Sequence, residues 1–368
     1  FERLLTRFTV PEEIFGPLSL RALEDDMIVR KTSGYLPDAE IAFFDELFKA
    51  NSAILNSLLV VLNERRFDNG GRREKVPLLT VVAASNELPE GDELHALDDR
   101  FILRRAVSPV SDGAVVAFLQ QSLGLTVELS PGQARAEPLL SVAVARAAQR
   151  EARAQVPFPR HLLKLLAKLR VFLRDEAVSP SSVSDRRLAR AVALVRLAAY
   201  ADGSASVWEL HLLLLQHMLW SSDPALSAEI RAWLLEKLPT ACCQGPGQFE
   251  QLQLLVDTAR CRLATEQTSP GARSDLVALR SMLMARLASQ LQFQARLQAV
   301  LGEAESDAAE AGCAIRRVLW FERSELEDAA RVMLPKLRTA IAETERILQQ
   351  ILELIWVAEL RDLPLRRG

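Results

Sequence analysis

Two short apolar runs, each ending in polar residues, constrain this chain most. Ile41-Ala42-Phe43-Phe44 runs into Asp45-Glu46, and the valine-rich run Leu78 to Ala84 runs into Ser85-Asn86. Both have strand length, and their unbroken apolar character predicts strands buried on both faces. Between them, Ala53 to Leu62 carries Ile54, Leu58, Val61 and Leu62 at helical spacing. Phe67-Asp68-Asn69-Gly70-Gly71-Arg72 then reads as the turn of a hairpin. Strand, helix, hairpin and strand in that order predict a largely parallel α/β sheet.

The pattern changes near residue 120, and the rest of the chain reads almost wholly as helix. Leu139–Ala154, Arg160–Arg174, Ser182–Tyr200 and Ser206–Leu219 are helical, with Pro157-Phe158-Pro159 breaking the first pair and Ser184 a plausible cap. Gly245-Pro246-Gly247 reads as a linker. Beyond it Leu276, Leu279, Leu283, Leu287 and Leu291, and then Leu337, Ile341, Leu348, Ile351 and Ile355, step by threes and fours. That spacing predicts long amphipathic helices packed as an antiparallel bundle. Pro335 is expected to break or kink the last one near Leu334. The expected organisation is three domains: an αβα core over 1–118, a helical domain over 119–240 and a helical bundle over 241–368.

A net charge of −3 lacks the basic footprint of a general nucleic-acid binder, so no nucleic-acid partner is expected. No stretch reaches membrane-spanning length, so no membrane span is expected. Cys242, Cys243, Cys261 and Cys313 have neither zinc spacing nor a disulfide pattern and read as reduced, buried small apolar residues.

Asp45 and Glu46 fall at the C-terminal edge of the predicted sheet, where open α/β sheets bind ligands. An aspartate there can help hold Mg²⁺ beside the phosphates of ATP, and an adjacent glutamate can polarise the attacking water. The plainer alternative is a buried strand meeting a solvated acidic turn. Asn86, at the tip of the second strand, can orient that water or cap the next turn. Arg100, in Leu97-Asp98-Asp99-Arg100-Phe101, can stabilise charge on a transferring phosphoryl group or pair with its acidic neighbours, with Arg104 and Arg105 as runners-up. Arg186, and after it Arg187, in Ser184-Asp185-Arg186-Arg187, can contact a nucleotide from the second domain or simply open a helix.

Several longer segments carry a resemblance. Phe8 to Ser19 (FTVPEEIFGPLS), Thr32 to Glu40 leading into Asp45-Glu46, Leu55 to Arg66 and Ala83 to Pro89 are similar to the AAA+ ATPases of the MoxR family, and look most like the RavA type. The likeness is dense over residues 1 to 105 and thins through the helices beyond. It implies that Asp45 is the Walker B aspartate holding Mg²⁺, Glu46 the catalytic base, Asn86 sensor 1, Arg100 an arginine finger acting on a neighbouring subunit, and Arg186 or Arg187 sensor 2. It also implies a helix-2 insert over residues 16–36 and a pre-sensor-1 hairpin over 67–78. The family implies a homo-hexamer that uses ATP and Mg²⁺ for chaperone-like remodelling, often beside a partner with a von Willebrand factor A domain, in the cytoplasm. RavA-type members carry a small inserted domain after the lid, and no β-rich insert is seen here. Two other readings stay open: a non-catalytic helical scaffold, and a magnesium-chelatase-type AAA+ subunit.

No G-x-x-x-x-G-K-[ST] phosphate loop occurs in the sequence. The family places that loop upstream of the segment starting at Phe1. The expectation is therefore a chain that has lost its N-terminal part rather than a degenerate paralogue, and one that binds ATP weakly or not at all as it stands.

Overall fold

The structure, a computed structural model, describes residues 1–89, 91–123, 141–178, 183–220, 223–241, 249–264, 270–302 and 323–361. They form two compact units, one of Phe1–Ala106, Val183–Leu188 and His217–Pro224, the other of Val107–Ser182, Ala189–Gln216 and Ala225–Gly368.

The first unit holds the sheet. Strands β1 (Glu2–Leu4), β2 (Ile41–Asp45) and β5 (Thr80–Ala83) pair in the order β1-β2-β5, all parallel. Phe43 stands opposite Glu2 on one side and Val82 on the other. Helix α3 (Ser52–Glu64) and the antiparallel hairpin of β3 (Arg66–Asn69) and β4 (Arg72–Lys75) carry the chain from β2 to β5. The Asn51 side chain starts α3 by accepting the Ile54 N–H at 3.1 Å, and its amide donates to the Thr9 carbonyl at 2.9 Å. Ile54, Leu55, Leu58 and Val61 then line one face of α3 and bury it against Phe44, Leu5, Val76 and Leu78.

The sheet departs from the expectation of burial on both faces. Ala42 and Phe44 are buried on the α3 side, but across the opposite face Leu4, Ile41 and Val82 are 54%, 58% and 52% exposed. Strand side chains alternate between faces, so one continuous apolar run supplies two apolar faces. Only one of them is covered by the described residues.

The segment over residues 16–36, expected as an insert, closes through an antiparallel bridge. Leu18 bridges Arg30, Ser19 donates to the Val29 carbonyl at 2.8 Å, and Lys31 donates to the Pro17 carbonyl at 2.8 Å. The short helix α2 (Leu20–Glu24) sits inside the loop, after α1 (Pro11–Phe15). Asn69 fastens this insert to the β3–β4 hairpin. Its Oδ1 accepts the Arg30 N–H at 2.7 Å and its Nδ2 donates to the Arg30 carbonyl at 3.1 Å. Gly16 and Gly70, both at positive φ, mark close approaches: a Cβ on Gly16 would collide with the Lys31 carbonyl, and one on Gly70 with the Val29 side chain. Helix α4 (Asp92–Asp98) ends this stretch.

The second unit is helical: α5 (Val115–Ser122), α6 (Val142–Gln155), α7 (Arg160–Asp175), most of α8 (Asp185–Ala201), α9 (Ala225–Ala241), α10 (Phe249–Ala264), α11 (Pro270–Gly302) and α12 (Arg323–Arg361). Leu276 and Leu283, early in α11, pack with Ile347, Ile351 and Ile355, late in α12, so these two long helices run antiparallel as expected. Three expectations need correction. Glu209–His217 is a 3-10 helix, a tighter coil in which Leu210 to Gln216 are all buried, where an α-helix over 206–219 is expected. Helix α12 is not broken at Pro335, one of the two outcomes expected there. Met333 and Leu337, both fully buried, pin the chain on either side and offset the roughly 3 kcal/mol that an interior proline costs. Cys261 is exposed rather than buried, and the other three cysteines lie outside the described residues. Among the described residues, no helix is long and apolar enough to cross a membrane.

Candidate functional site

At the C-terminal edge of the sheet β2 ends in Asp45, and the backbone turns sharply through Glu46, which sits at φ 55° in the left-handed region. A non-glycine residue held there costs on the order of 1–3 kcal/mol. Glu46 caps a 3-10 turn, Leu47–Lys49, buttressed by the Leu47 N–H donating to the Ala84 carbonyl at 3.1 Å. Asp45 Oδ1 accepts the Glu46 N–H at 3.0 Å. The residues after β5 meet this turn from the other strand. Asn86 Nδ2 donates to Glu46 Oε1 at 3.0 Å, and the Asn86 N–H donates to Oε2 at 3.3 Å. Lys49 Nζ reaches the same Oε1 at 3.0 Å. The Lys49 ammonium first, and then the Asn86 N–H, hold the Glu46 carboxyl below the ordinary glutamate range. Asp45, Glu46 and Asn86 are thus brought together, and both Glu46 oxygens are engaged by donors. Sequence reasoning misses Lys49, although its i,i+3 spacing from Glu46 is a readable signal.

A second cluster of the first unit gathers the arginines. Arg100 Nε donates to Asn63 Oδ1 at 2.8 Å, and its Nη1 donates to the Ala96 carbonyl. Arg186 Nη1 reaches the same Asn63 oxygen at 3.4 Å. Asn63 sits in the last turn of α3, twelve residues on from the Asn51 cap beside the Glu46 turn. At 1.5 Å per residue this is about 18 Å of helix between the two groups of residues.

Arg187 has a different environment. Asp98 Oδ2 pairs with Arg187 Nη2 at 3.4 Å, and the same carboxylate takes Arg104 through Nε at 3.0 Å and Nη2 at 2.8 Å. Arg187 Nε lies 3.2 Å from Asp99, whose two oxygens also accept the Ser184 hydroxyl at 3.0 Å. The Asp98, Arg104 and Arg187 side chains are 8%, 7% and 3% exposed. Burial first, and then the neighbouring Arg104 charge, push the Arg187 guanidinium below its ordinary range, against the pull of Asp98 and Asp99. Arg187 and Arg104 therefore sit inside an ion-pair cluster, whereas Arg186 is exposed and Arg100 half-buried on Asn63.

Residues 1–142 match the sequence model of the MoxR domain in the MoxR-vWA-beta-propeller ternary systems, and residues 161–234 that of an AAA lid domain. Two uncharacterized proteins of Methanocaldococcus jannaschii are 43% identical over 222 residues and 39% identical over 221 residues. Each match takes in 60% of this chain, against 56% and 55% of the two relatives, so the chain spans little more than half the length of the curated relatives it matches. The crystal structure of a candidate ATPase from Cytophaga hutchinsonii aligns at 14% identity with a TM-score of 0.46, covering 64% of this chain and 76% of that one.

Proposed function

Since the chain belongs, through residues 1–142 and 161–234, to the MoxR family of AAA+ ATPases, we propose that it hydrolyses ATP at the Asp45–Glu46 edge, as part of the whole protein. The observation that carries this reading is the meeting of Asn86 with Glu46 from two different strands, beside Asp45. Adjacent carboxylates at a sheet edge suit Mg²⁺, which takes one or two carboxylates and completes its shell with waters and phosphates. Asp45 would hold it, and the ion when bound would neutralise charge on the phosphates. Among the described residues no three His, Cys, Asp or Glu side chains converge, as a closed protein cage for a metal would require.

Glu46 is the base that takes a proton from the attacking water. Both its oxygens are bonded in the structure, Oε1 to two donors and Oε2 to one, and a carboxylate oxygen has two lone pairs, so Oε2 can still accept the attacking water. Asn86, whose amide already meets Glu46, orients the water or reaches the γ-phosphate, a positioning role. Arg100 and Arg186, a length of α3 away from Glu46, act on the nucleotide of a neighbouring copy, where their charge stabilises the transferring phosphoryl group. Arg187 holds the base of that arrangement rather than touching nucleotide. The assembly is a homo-hexamer that remodels a protein partner, and the family description points to a partner bearing a von Willebrand factor A domain. RavA-type partner contacts belong to the same reading.

Turnover needs a phosphate-binding loop, which this sequence does not contain, so the test uses the native protein isolated from its source. Glu46→Gln removes the base while keeping size and polarity. It is expected to abolish Mg²⁺-dependent ATP turnover while leaving ATP binding intact. Retained turnover defeats the assignment.

A further inference from the structure

The geometry points to Asn63 as a positioning residue that sets the spacing of Arg100 and Arg186; this rests on the reading of those two arginines as phosphate-directed groups. Asn63 carries no charge and stands exposed near the end of α3. Its one amide oxygen nevertheless accepts from both guanidinium groups, Arg100 Nε at 2.8 Å and Arg186 Nη1 at 3.4 Å. These arginines come from segments 37 and 123 residues away along the chain. A carbonyl oxygen has two lone pairs, so one amide can hold both donors at once.

A guanidinium has five N–H donors in a fixed fork, so a bond to one amide oxygen orients the whole group without using up its capacity for an anion. A neutral acceptor suits this task better than a carboxylate. Aspartate would bind the arginines more tightly but cancel part of the positive charge that a phosphate chain responds to. The residues on either side hold the two arginines' backbones in register. Asp98 and Asp99, just before Arg100, are tied to Arg187 and Ser184, which flank the Asp185-Arg186 pair. Asn63 is thus the side-chain half of a device whose backbone half is the buried ion-pair cluster.

Asn63 itself touches no substrate, and a misplaced guanidinium costs rate rather than ground-state affinity. The test measures ATP turnover by the native protein and by Asn63→Ala, with Glu46→Gln as control. Asn63→Ala is expected to lower kcat about tenfold, to leave KM for ATP within about twofold, and to leave the thermal unfolding midpoint unchanged. In an Arg186→Ala background, where only one of the two partners remains, the same substitution is expected to cost clearly less than in the parent. An unchanged kcat overturns the inference. So does a loss accompanied by a lowered midpoint, or an equal loss in both backgrounds. If the parent's turnover survives Glu46→Gln, the proposed function has failed and not the role of Asn63.

Discussion

Removing the Asp98 carboxylate probes the buried ion-pair cluster most sharply. In Asp98→Ala, Arg104 loses bonds at 3.0 and 2.8 Å, and Arg187 loses a contact at 3.4 Å. Both guanidiniums remain buried, with Asp99 reaching Arg187 and the Asp98 and Trp220 carbonyls as further acceptors. Breaking a buried pair from one side typically costs about 3–5 kcal/mol, because an uncompensated charge stays out of water. Here Arg104 loses its carboxylate while Arg187 keeps Asp99, and residual carbonyl acceptors soften the loss, so the expected cost is at the low end, about 3 kcal/mol. A domain is stable by only about 5–15 kcal/mol, so the first unit would lose a large part of its margin. Urea unfolding followed by circular dichroism reads this as a fall in midpoint at unchanged slope. Asp98→Asn, which keeps the shape and one acceptor, should fall between parent and alanine. Arg186→Ala, on the exposed side of the same helix start, should stay within about 0.5 kcal/mol. A cost below about 1 kcal/mol for Asp98→Ala would mean that the arginines are hydrated, and the cluster would then not be the buried ion pair described.

The same geometry sets further expectations. Gly70→Ala forces a side chain into the left-handed region against Val29, and should destabilise by more than the roughly 1 kcal/mol of an ordinary glycine effect, read as a lowered unfolding midpoint. Asn69→Ala cuts both bonds to Arg30, so limited proteolysis should cut faster between residues 17 and 31 while global stability drops by only about 1–3 kcal/mol. In the bundle, Leu283→Ala opens a cavity opposite Ile347 and Ile351 and should cost about 2–5 kcal/mol by denaturant unfolding. Leu254→Ala, on the exposed side of α10, should cost little by the same assay.

Those parts of the architecture that rest on periodicity are legible in the sequence. Strand β2, helix α3, the Gly70-Gly71 turn and the antiparallel α11–α12 pair all come from spacing and turn chemistry. The edge residues Asp45, Glu46 and Asn86 are legible because strand ends are where such sheets present polar groups. Features set by distant contacts are not. Asn63 gathers partners 37 and 123 positions away, and no local pattern distinguishes it from any other exposed helix amide. Arg186 and Arg187 are adjacent and chemically identical, yet the helix turns one outward and the other into the Asp98 cluster. The open sheet face is illegible because an apolar run states what a strand can bury, not what is present to bury it. Pro335 shows the reverse: a strong local signal does not break the helix where buried side chains pack on both sides.

The proposed enzyme has a split active site, with Glu46 of one copy working with Arg100 of the next. Mixing two inactive variants of the native protein probes that arrangement. Glu46→Gln subunits lack the base but present Arg100, and Arg100→Ala subunits keep the base but lack the finger. Each variant alone is expected to be inactive, and mixing is expected to restore ATP turnover at interfaces where an intact Glu46 faces an intact Arg100. A mixture that forms hexamers yet stays inactive, while the parent protein turns over under the same conditions, rules the split site out.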